Sequence, residues 1–249
     1  MCGAKGANPY CVKPTFQLVT TVIGVERISS SGVMMRNARQ FEARRLTHFH
    51  FSFRMGVVGR FQTEYFLDAC RAAAGKADTE RAIRELVAEA VSDPLAVSLA
   101  MGDPQQAGIE MLYRGADLTV INFTWAPWMS LKPHNHNMWA VIGIFSGRED
   151  NVFWRRTERA IEAAGASSLG VGEIAPLGRD IIHSVTNPIG KMTRAIHVYG
   201  GDFFAPPQPR SEWDHETLIE RPWDLDNTRR LFAEAEARFR ATLQRPVIS

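Results

Sequence analysis

From Met111 to Phe204 the chain never runs far before a turn residue stops it. The apolar stretches Leu118–Trp125, Met138–Phe145, Asn151–Arg155 and Ala195–Tyr199 are separated by Pro127, Pro133, Gly147, Gly178 and Pro188, among others. Several short strands at near-regular spacing predict an all-β sandwich or small barrel rather than a helical assembly. With 13 Pro and 19 Gly along the chain, a helical bundle is disfavoured further. Within this region Thr157–Ala166 reads as an excursion between strands, and 205–223 as a Pro- and Trp-rich coil.

The flanks read differently. Over 61–101 Ile83, Leu86, Val87, Ala90 and Val91 recur on one helical face, with Asp78 as a predicted N-cap and Asp93-Pro94 as a stop. A last helix is predicted over about Asn227–Leu243, from Leu231, Ala235 and Phe239. Residues 1–54 hold no lasting period and carry eight Lys/Arg against two acidic residues, whereas 55–249 carry 21 against 25. The expected organisation is therefore a poorly patterned extension over 1–54 and a single domain over 55–249. Within that domain the helical lead-in spans 60–101, the barrel about 110–204, and the closing coil and helix 205–244. The mildly acidic body argues against a nucleic-acid partner. No run reaches the ~20 apolar residues of a membrane span. Three cysteines, Cys2, Cys11 and Cys70, without metal-type spacing fit a reducing cytoplasm better than a disulfide scaffold.

The histidines carry the chemistry. In Pro133-His134-Asn135-His136 the two rings are two residues apart, and on a strand such residues share a face. Two parallel imidazoles are half of a metal site. His48 and His50 repeat the spacing, but nothing around them supplies turn chemistry or further ligands, so they are read as neutral. His215 is expected at the surface.

Gly147 follows His136 by eleven residues, and Pro176-Leu177-Gly178, His183 and Asn187 follow downstream. The chain here resembles the cupin superfamily. Its first motif has His-x-His ahead of a Gly-ended strand pair, and its second has Pro-x-Gly, His, and Asn four residues on. Two departures stand out: the position of the usual Glu ligand holds Ala140, and four residues rather than two separate Gly178 from His183. A three-His set without a carboxylate is similar to the thiol dioxygenase branch, the cysteine dioxygenase-like proteins. Ala195-Ile196-His197-Val198-Tyr199 resembles that branch's Ser-x-His-x-Tyr strand, with Ala195 in place of Ser. Leu112-Tyr113-Arg114 precedes the metal motif where the branch carries a carboxylate-binding Arg. The cysteine that forms a thioether in animal members is absent near Ala140 and Val141, as in bacterial members.

The resemblance implies a cupin double-stranded β-helix, or jelly-roll barrel, with helical additions at both ends. It implies Fe(2+) held by His134, His136 and His183, with Tyr199 and His197 as catalytic groups and Arg114 as the carboxylate clamp. A water is expected to stand in for the missing Ser. Arg148-Glu149-Asp150 reads as a charged turn, and Glu149 is too far along to be the missing ligand. Trp125, Trp128, Trp139 and Trp154 are wall candidates. The implied activity is O2-dependent oxidation of a small, carboxylated thiol to its sulfinate, with no nucleic-acid or membrane partner. Two other readings stay open: a cupin metalloenzyme of another class, such as a ring-cleaving dioxygenase or isomerase, and a non-catalytic sensor of metal or small ligand.

Overall fold

The computed structural model describes residues 61–244, so the expectations for 1–54, including His48 and His50, lie outside the described residues. The lead-in forms three helices: α1 (Thr63–Ala73), α2 (Thr79–Ser92) and α3 (Pro94–Met101). α1 buries Phe66, Leu67, Cys70 and Ala73, and α2 buries Ile83, Val87, Ala90 and Val91, each a single stripe at helical spacing. Asp78 occupies the N-cap position of α2 but pairs with Arg81 instead of capping. Asp93 both ends α2 and starts α3: its carboxylate accepts from the Ala96 N–H at 3.0 Å, with Pro94 at the first helical position.

Eleven strands follow: β1 (Gly108–Arg114), β2 (Thr119–Trp125), β3 (Ser130–Asn135), β4 (Ala140–Ser146), β5 (Arg148–Arg156), β6 (Ile161–Gly170), β7 (Ile174–Leu177), β8 (Ile182–Thr186), β9 (Thr193–Tyr199), β10 (Ser211–Trp213) and β11 (Glu220–Pro222). They form two sheets, ordered β1-β2-β9-β4-β7 and β11-β10-β3-β8-β5-β6. The antiparallel pairs β2/β9, β3/β8, β4/β7 and β5/β6 are nested about the β5–β6 turn. A long hairpin folded in this way is the double-stranded β-helix, the cupin fold. At its β4–β5 corner Gly147 has φ +83°, and a Cβ there would lie 2.2 Å from Thr193 Oγ1, so only glycine fits the turn.

Alternation divides the first sheet between two cores. Ile121, Phe123, Ala140, Ile142, Ala195 and Tyr199 face the second sheet, whereas Val120, Val141, Ile196 and Val198 face α1 and α2. A sheet covered on both sides reads as continuous apolar runs, which is why β2, β4 and β9 stand out in the sequence. The helix lies close: a Cβ on Gly143 of β4 would come within 2.5 Å of Val87 Cγ1.

Two segments differ from expectation. Thr157–Ala166 is not an excursion. The chain turns at Thr157–Ala160 and returns as β6, paired with β5 along its length. β6 reads IEAAGASSLG and is mostly exposed, so neither its composition nor its pattern announces a strand, and pairing with β5 imposes one. The 205–223 coil contains the β10–β11 hairpin, which joins the second sheet beside β3 through Glu212 opposite His134. The final helix, α4, runs Leu225–Leu243, with the Asp224 carboxylate accepting from the Asp226 N–H at 2.9 Å. It turns Phe232 and Ala235 toward the barrel, and Phe232 stacks on Trp125 at 5.1 Å. Among the described residues no helix is long and apolar enough to cross a membrane.

Candidate metal centre

His134 on β3 and His183 on β8 are direct cross-strand partners, and His136 follows just beyond the end of β3. The three rings meet between the sheets, each buried. His136 Nε2 lies 3.3 Å from His134 Nε2 and 3.1 Å from His183 Nε2. Nitrogens bound to one ion at ~2.1 Å, with bond angles of about 90–110°, would be about 3.0–3.4 Å apart. The outer nitrogens fix the tautomers. His134 Nδ1 donates to the Lys132 carbonyl at 2.8 Å, and His183 Nδ1 to Asn151 Oδ1 at 2.7 Å. The inner Nε2 atoms of these two rings therefore carry lone pairs. Burial keeps all three rings neutral, His134 down to about 3 and His136 and His183 well below the ordinary histidine value. Buried, neutral imidazoles, two with inward lone pairs and His136 Nε2 within 3.3 Å of both, fit a divalent cation. Ala140, at the position of the usual Glu ligand, is buried on β4 opposite Tyr199 and offers no donor.

The opposite sheet supplies the second half of the site. On β9 His197 and Tyr199 face inward from alternate positions, and His197 Nδ1 lies 3.1 Å from the Tyr199 hydroxyl. The Tyr199 ring stands edge-on to His136, centroids 5.1 Å apart. Burial pushes the phenol well above its ordinary value, so Tyr199 keeps its proton. Ala195 stands where the branch's strand carries Ser, and a carboxylate from β5 lies beside His197. Arg148-Glu149-Asp150 is the start of β5, not a turn, and Glu149 is fully buried with Oε2 3.5 Å from His197 Nε2. Glu149 Oε1 accepts from Asn151 Nδ2 at 3.0 Å. Glu149 is thus hydrogen-bonded through Asn151 to His183, and its other oxygen stands beside His197 without a hydrogen bond.

Arg114 is not with them. It ends β1 at the surface, its fork closed on Asp202 with Nε–Oδ1 and Nη2–Oδ2 at 2.9 Å. Its guanidinium lies over Phe204, and its side chain is 43% exposed. The arginine that does line the cavity is Arg210, beside His134, His183, His197 and Tyr199. The cavity is tight, about 10 Å³, room for about one water, so its contents are small unless lining side chains shift. Of the tryptophans, Trp125 and Trp223 line it, whereas Trp128 is exposed and Trp154 bonds Ser184 Oγ in a separate cluster. Asn187 is structural: buried, it donates to the Ala126 and Lys191 carbonyls and ties the two loops at that end.

Glu149, Asn151, Arg210 and Trp223 escaped the sequence reading. Glu149 and Asn151 repeat the two-residue spacing of His134 and His136, a signal hidden by their charged neighbours. Arg210 sits in a Pro-rich stretch with no period at all.

Fold and site together define a double-stranded β-helix protein with a buried three-histidine centre. No protein-family model matches the sequence. Structural neighbours are cupin proteins. One is an RmlC-like cupin family protein from Methanocaldococcus jannaschii, 12% identical, covering 41% of this chain and 86% of that one at a TM-score of 0.35. Another is a conserved double-stranded β-helix protein from Klebsiella pneumoniae, 11% identical, covering 49% and 89% at 0.34. A DMSP lyase from Ruegeria pomeroyi is 13% identical, covering 42% and 50% at 0.34. Likeness at this level carries no argument about activity, and the fold rests on the strand order.

Proposed function

We propose that the protein is an Fe(II)- and O2-dependent dioxygenase that converts a small thiol to its sulfinate. The observation that carries the reading is the donor set: three buried imidazoles, no carboxylate among them, with a tyrosine hydroxyl held across the cavity. Iron bound there would supply a Lewis acid that favours the thiolate and the redox capacity to use O2. The balance is R–S⁻ + O2 → R–SO2⁻: sulfur gives up four electrons, and both oxygen atoms are retained on it.

The chain's own residues do the rest. Lys132 and Asn151 hold His134 and His183 in the tautomer that presents Nε2 inward. Tyr199, kept protonated by burial, offers a hydroxyl beside the His136 ring. His197, with Nδ1 3.1 Å from it, fixes the direction of that hydroxyl. Phe123, Trp125 and Phe203 wall the cavity and exclude bulk water from the reacting end.

The test has two parts. Replacement of His134, His136 or His183 by Ala is expected to lower bound iron by at least ~10-fold, since two imidazoles rarely hold Fe(II) in dilute solution. Full occupancy in all three variants would remove the centre. O2 consumption by iron-loaded protein is then measured against thiols and catechols. Uptake driven by thiols with sulfinate as product supports the reading. Uptake with catechols alone, or zinc retention with no uptake, assigns the centre to another chemistry.

A further inference from the structure

A second cavity, of about 280 Å³, opens on the reverse of the first sheet. Asn122 and Thr124 of β2 and Arg194 of β9 share the face on which Val120 and Ile196 meet the helices. Their neighbours Phe123 and Ala195 face the barrel instead. The loop after α3, with Asp103 and Gln105, and Glu110 of β1 complete the cavity. The three-histidine centre therefore lies on the far side of the sheet, and this cavity takes no part in it.

Two buried polar groups in its wall are only half satisfied. Arg194 is 5% exposed, and its Nη1 donates to the Gly102 carbonyl at 2.7 Å while the guanidinium lies 4.7 Å from the Phe145 ring centroid. Its Nε is buried and has no partner among the described residues. Asn122, one diagonal step away across the β2/β9 pair, is 2% exposed and shows the converse. Its Nδ2 donates to Glu110 Oε2 at 2.7 Å, but its Oδ1 is a buried acceptor that receives nothing. Burial lowers the pKa of Arg194, and the exposed carboxylates of Glu110 and Asp103 raise it again. Among the described residues neither carboxylate forms an ion pair with it, and a guanidinium stays charged in any case.

An unmet donor and an unmet acceptor in one cavity match a ligand that carries both, since leaving buried polar groups unpaired is costly. Charge narrows the choice. A bare anion would meet Glu110 and Asp103, and a bare cation would meet Arg194. A zwitterion sets its carboxylate on the guanidinium and turns its ammonium to Asn122 Oδ1 and the Glu110 carboxylate. The volume is just under the range of about 300–1,000 Å³ usual for small-molecule sites, so the ligand is small. We propose that this cavity binds a free α-amino acid, its carboxylate on Arg194 and its ammonium on Asn122 and Glu110. The proposal is independent of the metal centre and of the chemistry assigned to it.

The test uses probes without a thiol and protein without iron. Alanine, propionate and ethylamine are titrated into the full-length metal-free protein at millimolar concentration, by calorimetry and by NMR. Saturable binding of alanine is expected, with propionate and ethylamine weaker by at least ~10-fold, because each lacks one charged contact. The amide shifts should centre on Gly102 and Gly108 at this cavity. Arg194→Met is expected to lower alanine affinity about 10- to 150-fold, as for loss of a hydrogen bond to a charged group. Glu110→Gln, at an exposed position, is expected to lower it about 1.5- to 5-fold, and it serves if the Met variant does not fold. Absence of saturable alanine binding to the wild type overturns the proposal. So do equal affinities for propionate or ethylamine, shifts confined to the three-histidine cavity, or unchanged affinity in the folded variants.

Discussion

Asn151→Leu tests the chain that connects Glu149 to the metal centre. Asn151 is 2% exposed and makes two bonds inward: Oδ1 accepts from His183 Nδ1 at 2.7 Å, and Nδ2 donates to Glu149 Oε1 at 3.0 Å. Leucine fills nearly the same volume and makes neither. His183 then loses the acceptor that fixes its tautomer, and loss of such a partner lowers metal affinity by about 10–100-fold, or roughly 1.4–2.7 kcal/mol. Two buried groups are also orphaned, each at about 1–3 kcal/mol, with the carboxylate toward the upper end. The sum, about 2–6 kcal/mol, corresponds to a fall in Tm of the metal-free protein of roughly 4–20 °C. Iron affinity is read by chelator competition and Tm by circular dichroism. Asn151→Asp separates the two losses. It keeps an acceptor for His183 but sets a like charge against Glu149, so Tm falls while metal affinity holds. Iron affinity within about threefold of wild type in a folded Asn151→Leu protein would refute the tautomer argument.

Other outcomes follow from groups outside the centre. Arg114→Ala is expected to leave thiol turnover and iron content unchanged, because its fork is spent on Asp202 at the surface; a selective loss on carboxylated thiols, measured as kcat/KM, would return it to the site. The Arg156 fork holds the Glu220 carboxyl down to about 2, so the bond between β5 and β11 is present above the ordinary carboxylate range and is lost as pH falls toward 2. Urea unfolding of Glu220→Gln against wild type should show a deficit at pH 6 that narrows below about pH 4.5; a deficit independent of pH would assign it to packing. Burial raises the Cys70 thiol to about 12, so iodoacetamide at pH 8 should leave the Cys70 peptide unmodified in the folded protein and alkylate it in urea. Peptide mapping by mass spectrometry decides.

The sequence by itself determined the centre of this protein. Continuous apolar runs in β2, β4 and β9, punctuated by Pro and Gly, specify strands buried on both faces. The His-x-His spacing puts two imidazoles together within three residues, because pleating is a local property of the backbone. His183 and Tyr199 could be placed only because their segments resemble the cupin second motif and the Ser-x-His-x-Tyr strand. The tertiary structure decided whatever depended on contacts between distant segments. β6 is a strand only because β5 pairs with it, and its small, exposed residues hold no preference of their own. Glu149 looked like part of a charged turn. It is buried because β5 turns it inward toward His197, 48 positions away in sequence. Arg114 and Arg210 show the same limit from both sides. Neither arginine carries a local mark of its surroundings: Arg114 lies between Tyr113 and Gly115, Arg210 between Pro209 and Ser211. One ends a strand whose side chain points to Asp202 and solvent. The other is carried by the β10–β11 hairpin, through Glu212 opposite His134, to the edge of the three-histidine cavity. Register is local information, but the direction from which a distant segment returns is fixed only when the sheets close.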